Sequence, residues 1–174
     1  MGPDPTTQAI ALAVTSVRSF LGSYQAYQTG KIKETDEGLR DDIRRRITMI
    51  RNHVVNIETN AVDNSDVKSM KQAGKLRSLL DRFATDVKMS ISGSVGSSHA
   101  QAEKVNKKQI KALIEHDKVI LEKLVKLTNQ VNLAQSNFNS GSDSVSNDLL
   151  DAEQLTSSIM NRYLERQTLL GGIN

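Results

Sequence analysis

The stretch IKALIEHDKVILEKLVKLTNQVNLAQSNF, residues 110–138, carries the most regular apolar pattern of this chain. Two series of mostly apolar positions recur every seven residues, the second displaced by three, which is the spacing of a helix face that packs against other helices. The pattern predicts one long helix over about 100–138. The apolar positions expected to pack inside or to contact a partner, together the seam, are Ile110, Leu113, Ile120, Leu124, Leu127 and Val131.

Asp117 occupies a seam position that apolar residues fill elsewhere in the same register. One interpretation is a buried polar residue that fixes the register of a partner or bonds a ligand within the bundle. The other is that the apolar stripe opens there and Asp117 lies in water near Lys111 or Lys118. We expect the exposed position, because an unpaired buried carboxylate is costly.

Helical periodicity also dominates the rest of the chain, and the only prolines, Pro3 and Pro5, precede the first apolar stripe. We therefore predict an all-α fold, an elongated up-and-down bundle of four to five long helices with coiled-coil-like seams, in a single domain over 1–174. Two serine- and glycine-rich stretches, about 92–99 and 139–146, are expected to be loops. The other predicted helices span about 6–29, 35–62, 66–91 and 147–170.

The predicted helix over 6–29 has a single charged residue, Arg18. One explanation is central burial with neighbours on several sides, and another is reversible insertion into a membrane or into a partner's groove. Its polar residues interrupt the apolar run before the length of a membrane span is reached. We favour central burial. The residues that would contact a membrane or a partner are Ile10, Val14, Val17, Phe20, Leu21 and Tyr24.

The sequence contains few of the residue patterns that enzymes use for catalysis or metal binding. It has no cysteine, so thiol catalysis and thiolate metal sites are excluded. No glutamate stands three residues before His53, His99 or His116, as a di-iron bundle would require. Phosphate-binding glycine loops and nucleophile motifs are missing too. We therefore predict no catalytic residue, metal, cofactor or small-molecule substrate, and no enzyme.

Five arginines make the region from Arg40 to Arg51 basic, although the net charge of the chain is only +3. A phosphate-binding surface is one interpretation of this cluster. However, Asp41 and Asp42 are interleaved with the arginines, and no aromatic residue accompanies them to stack on bases. We expect a solvated face of ion pairs, and nucleic acid is a disfavoured partner.

These features favour a non-enzymatic bundle that acts by contact with another protein or with itself, as an assembly subunit, adaptor or regulator. The alternative is a membrane-active bundle that uses the helix over 6–29 as an anchor or in an oligomeric pore. A third hypothesis is a ligand sensor with a pocket near Asp117. A cytoplasmic location is favoured, with export without a cleavable signal peptide as the alternative.

Overall fold

The computed structural model describes residues 32–90 and 107–171, which form four helices and short turns with no strand among them. The all-α bundle predicted from the sequence is confirmed. The predicted helix over 6–29, the loop over 92–99 and the first residues of the helix predicted from 100 lie outside the described residues. The four helices are α1 (Ile32–Asp63), α2 (Val67–Met89), α3 (Lys107–Asn139) and α4 (Val145–Gly171).

The helices form two antiparallel hairpins, α1–α2 and α3–α4, which lie side by side. Helix α1 packs against α2 and α3, and α4 packs against the same two. Within the described helices, the diagonal pairs α1–α4 and α2–α3 make no backbone contact. The predicted adjacency of sequence neighbours therefore holds within each hairpin, whereas α2 and α3 lie across the diagonal.

The two hairpins point in the same direction. His53 on α1 pairs with Gln135 on α3 at 2.9 Å between Nδ1 and Oε1, and Asp36 and Asp117, near the starts of the same helices, share one partner on α4. Helices α1 and α3 therefore run parallel. One end of the bundle, the polar end, holds the starts of α1 and α3 and the ends of α2 and α4. The other end holds the two short turns.

Each short turn ends its helix in a residue of left-handed conformation. The first has Ser65 at φ 57°, and the second has Gly141 at φ 70°. In both, paired backbone bonds close the helix end, such as the Ser65 amide to the Val62 carbonyl and the Gly141 amide to the Phe138 carbonyl. Asp66 then caps α2, because its Oδ1 accepts a hydrogen bond from the Ser69 amide at 3.0 Å.

The core is built from the inward rows of all four helices and is almost wholly aliphatic. Among the described residues, Phe83 on α2 and Tyr163 on α4 form an aromatic pair, with ring centroids 5.8 Å apart in an edge-to-face arrangement. The buried aliphatic residues of the seam in this main core are Ile120, Leu124, Leu127 and Val131. Leu113 is buried in a second, smaller cluster nearer the polar end, which the half-buried Ile110 flanks.

Candidate functional site

Asp117 is buried, with only 2 % of its surface exposed. Its Oδ1 accepts a hydrogen bond from Arg166 Nε on α4. The expectation that Asp117 lies in water was wrong, because Arg166 supplies the counter-charge from 49 residues further along the chain. The flanking Lys111 and Lys118 are exposed. Of the two interpretations, burial as a polar residue within the helix interface is the correct one.

Arg166 is fully buried and also bonds across the bundle. Its Nη1 donates to Asp36 Oδ1 on α1 at 2.6 Å. The second oxygen of Asp36, Oδ2, lies 3.0 Å from Arg40 Nε one helical turn later. These four residues, Asp36, Arg40, Asp117 and Arg166, form the ionic layer. Their formal charges cancel, so the layer holds no net charge away from water.

Helix α2 joins the layer through its C-terminal end. Arg40 Nη1 donates to the carbonyl of Ser90 at 2.5 Å, and the Ser90 amide itself bonds to the Asp86 carbonyl at 3.0 Å. Tyr163 is buried beside these groups, and burial raises the pKa of its phenol. The layer therefore connects all four helices at the polar end.

The geometry of the ionic layer indicates a structural role. Buried ion pairs lose most of their hydration, and their attraction offsets that loss only when the geometry is good and the remaining polar atoms are bonded. Arg166 meets both Asp36 and Asp117 only if α4 sits at one axial position relative to α1 and α3. The contacts of the layer are therefore compatible with one register of these helices. Its charged atoms face one another, so the hypothesis of a ligand pocket near Asp117 gains no support from this arrangement.

The neighbours of Asp117 in sequence face different surroundings. Glu115 is exposed, while His116 is partly buried between α3 and α4. Burial and the nearby positive charge of Arg162 both lower the pKa of His116. The three consecutive side chains therefore diverge, as helical geometry requires.

A groove lined by apolar, polar and charged side chains lies between the parallel helices α2 and α4, next to the ionic layer. Its volume is about 540 Å³, and Leu79 and Met160 lie along it. Met89 and Leu164 also line it and are 72 % and 57 % exposed. The remaining lining residues are Arg82, Asp86, Ser90, Ser157, Asn161 and Tyr163. Two large apolar side chains are therefore exposed at this groove, one from each helix. The sequence did not predict this α2/α4 groove.

The arginines of the basic stretch of α1 make ion pairs, as predicted, but the face is solvated only in part, because the side chains of Arg40 and Arg46 are largely buried. Arg45 and Arg46 both contact Asp42, at 2.5 and 2.8 Å, and Arg51 contacts Asp81 on α2 at 2.5 Å. Each of these guanidinium groups therefore has a carboxylate partner. The remaining exposed pair is Arg44 with Asp41, at 3.6 Å.

The described residues thus define a four-helix bundle of two parallel hairpins, with a buried ionic layer at one end and a groove between α2 and α4 beside it. Comparison with known protein families, with curated proteins and with solved structures gives no match to this chain. Among the helices that the structure describes, none combines the length and apolar character needed to cross a membrane. The charge-poor stretch from Ile10 to Tyr24 lies outside the described residues.

Proposed function

We propose that this protein is a non-enzymatic helical bundle that acts by protein contact, and that the α2/α4 groove is its contact surface. The observation that carries the proposal is the exposure of two large apolar side chains, Met89 and Leu164, on either side of this groove. The ionic layer supports it, because it holds α2 and α4 in a fixed relation beside the groove. A preorganised surface loses less entropy when it binds.

The chemistry that fits this groove is an amphipathic helix. Two parallel helices leave between them a furrow into which the apolar side chains of a third helix can pack at intervals of three and four residues. Arg82 and Asp86 lie on its rim with opposite charges, 3.9 Å apart. A partner helix with few charges meets no unbalanced charge there.

Variants of the full chain test this proposal. Leu164→Glu places a charge in the groove, and Leu150→Glu places the same charge on an exposed site of the same helix, 42 % exposed. The amount of each protein captured by the immobilised wild-type chain is compared with the amount captured by each immobilised variant. Circular dichroism confirms that each variant is folded.

The expected result is a partner whose recovery falls at least about tenfold with Leu164→Glu and stays near the wild-type level with Leu150→Glu, since a loss of 1.4 kcal/mol is tenfold in affinity. A partner that both variants recover at the wild-type level would contact the protein outside the groove. If no captured protein distinguishes the two folded variants, the groove is not a contact surface.

The alternative function is membrane activity of the stretch over 6–29. Its support is a stretch of 24 residues in which Arg18 is the only charged side chain. Flotation with liposomes and dye release test it with the full chain and with Val17→Asp, which places a charge in the apolar stripe. Binding by wild type that Val17→Asp weakens would favour this function, and no binding by either protein would eliminate it.

A further inference from the structure

We propose that residues 6–29 of the same chain supply a fifth helix that packs into the α2/α4 groove. The inference rests on the proposed function, because it assigns an occupant to the same contact surface. In the absence of another partner, the chain would cover its own groove.

The position of α1 supports this assignment. The Arg40 side chain bonds to the Ser90 carbonyl at 2.5 Å, so the first turns of α1 lie against the C-terminal end of α2. Met89, the most exposed apolar residue of the groove, precedes Ser90. Ile32, where α1 begins, therefore lies at the end of the bundle where the groove begins.

The length of this part of the chain is sufficient. The eight residue steps from Tyr24 to Ile32 span at most about 28 Å when extended. The groove lies on the far side of α2 from α1, a distance of about two helix spacings, or roughly 16 to 20 Å. The docked helix must then end near Tyr24, five residues before the end that periodicity predicts, and residues 25–31 form the link.

The direction and spacing also match. A helix that ends at the polar end runs parallel to α2 and α4. Ten residues separate Val14 from Tyr24, a rise of about 15 Å, and the same number separates Leu79 from Met89 on α2. The stripe of Val14, Val17 and Leu21 would thus lie along the apolar part of the groove.

The charges are compatible with this occupant. The groove rim carries one arginine and one aspartate, and both are solvent-accessible with side chains 75 % and 42 % exposed. A helix with Arg18 as its only charge can cover the groove without taking an unpaired charge out of water. A helix with many charges would bury some of them in the groove without partners.

Because the chain lacks cysteine, engineered cysteine pairs report the contact without side reactions. The test pair is Leu21→Cys with Leu164→Cys. The control pair is Leu21→Cys with Lys118→Cys, which places the second thiol on the outer face of α3 next to the ionic layer. A short bismaleimide links thiols that are close, and gel mobility with peptide mass spectrometry identifies the product.

We expect the test pair to form the intramolecular link at least about tenfold faster than the control pair, at a rate independent of protein concentration. Equal rates for the two pairs would overturn the inference. A link that forms only between chains, and slows on dilution, would assign the groove to a second copy. Melting curves for both pairs show that the bundle is intact.

The two proposals can fail separately. If the test pair does not link but capture of a partner depends on Leu164, the self-docking inference is wrong and the proposed function stands. If the pair links but no partner responds to Leu164→Glu, the groove is an internal packing surface. The proposed function is then wrong.

Discussion

Arg166 Nη1 lies 2.6 Å from Asp36 Oδ1, although the helices that carry them, α4 and α1, lie across the diagonal of the bundle and make no backbone contact. The long side chain of Arg166 thus bridges the centre of the bundle. The same guanidinium bonds to Asp117 on the adjacent α3. Removing either carboxylate leaves a net positive charge among buried groups.

We predict that Asp117→Leu lowers the free energy of unfolding by about 3 kcal/mol, because breaking one partner of a buried pair leaves an uncompensated charge. Adding Arg166→Met should recover most of that loss, since Asp36 keeps its contact with Arg40 and the layer is neutral again. Urea unfolding measures both values. The control is Arg82→Ala, at an exposed pair, which should cost less than about 0.5 kcal/mol. A double variant no more stable than Asp117→Leu would contradict this account.

The two turns provide a matched prediction. Ser65 adopts a left-handed conformation, which costs a residue with a Cβ atom about 1 kcal/mol. Ser65→Gly should therefore raise the free energy of unfolding by about 0.5 kcal/mol. Gly141 has the same conformation, and Gly141→Ala should destabilise the protein by about 1 kcal/mol. Melting temperatures should therefore move in opposite directions. Shifts of the same sign would mean that backbone strain does not decide stability at these sites.

The cap of α2 should be sensitive to pH. Hydrogen bonds from Ser69 lower the pKa of Asp66 from its ordinary value of 3.8, so its ionised form is favoured in the folded state. At about pH 7 we expect Asp66→Ala to cost about 1 kcal/mol and Asp66→Asn, which keeps the cap, to cost less. The advantage of Asp66 over Asn should be complete above about pH 4 and vanish as the pH falls through the lowered pKa. An advantage that persists in strong acid would show that charge plays no part.

His116 should make the protein less stable in mild acid. Burial, assisted by the charge of Arg162, lowers the pKa of His116 from 6.5, so the unfolded chain binds this proton more readily than the folded protein. Stability should therefore fall as the pH drops below about 6.5 and level off below the lowered pKa. We expect His116→Gln to flatten this part of the curve of unfolding free energy against pH. The control Lys111→Gln, on the same helix, should leave it unchanged.

The sequence predicted most of the fold because helix formation here follows a local pattern. Apolar spacing identifies the inner face of α3 without knowledge of its partners. The same periodicity contained a signal for the ionic layer: Asp36 stands seven residues before the buried Ile43, and Arg166 seven after the buried Ile159. The charged residues at these three core positions, Asp36, Asp117 and Arg166, could therefore have been interpreted together as one buried ion-pair network.

The pairing itself could not be predicted, because it depends on which helices are diagonal. Asp36 and Arg166 are 130 residues apart, and no local rule brings them together. The α2/α4 groove has the same origin. Met89 and Leu164 are ordinary exposed residues on their own helices, and only the relative rotation of α2 and α4 makes them neighbours.

The division into two hairpins has an electrostatic consequence for assembly of the bundle. Asp36 and Arg40 belong to the first hairpin, and Asp117 and Arg166 belong to the second. Each hairpin therefore carries its own neutral pair before the two meet. When the hairpins dock, the two Asp–Arg pairs lose their water and bond to each other. No unpaired charge has to be buried in this step.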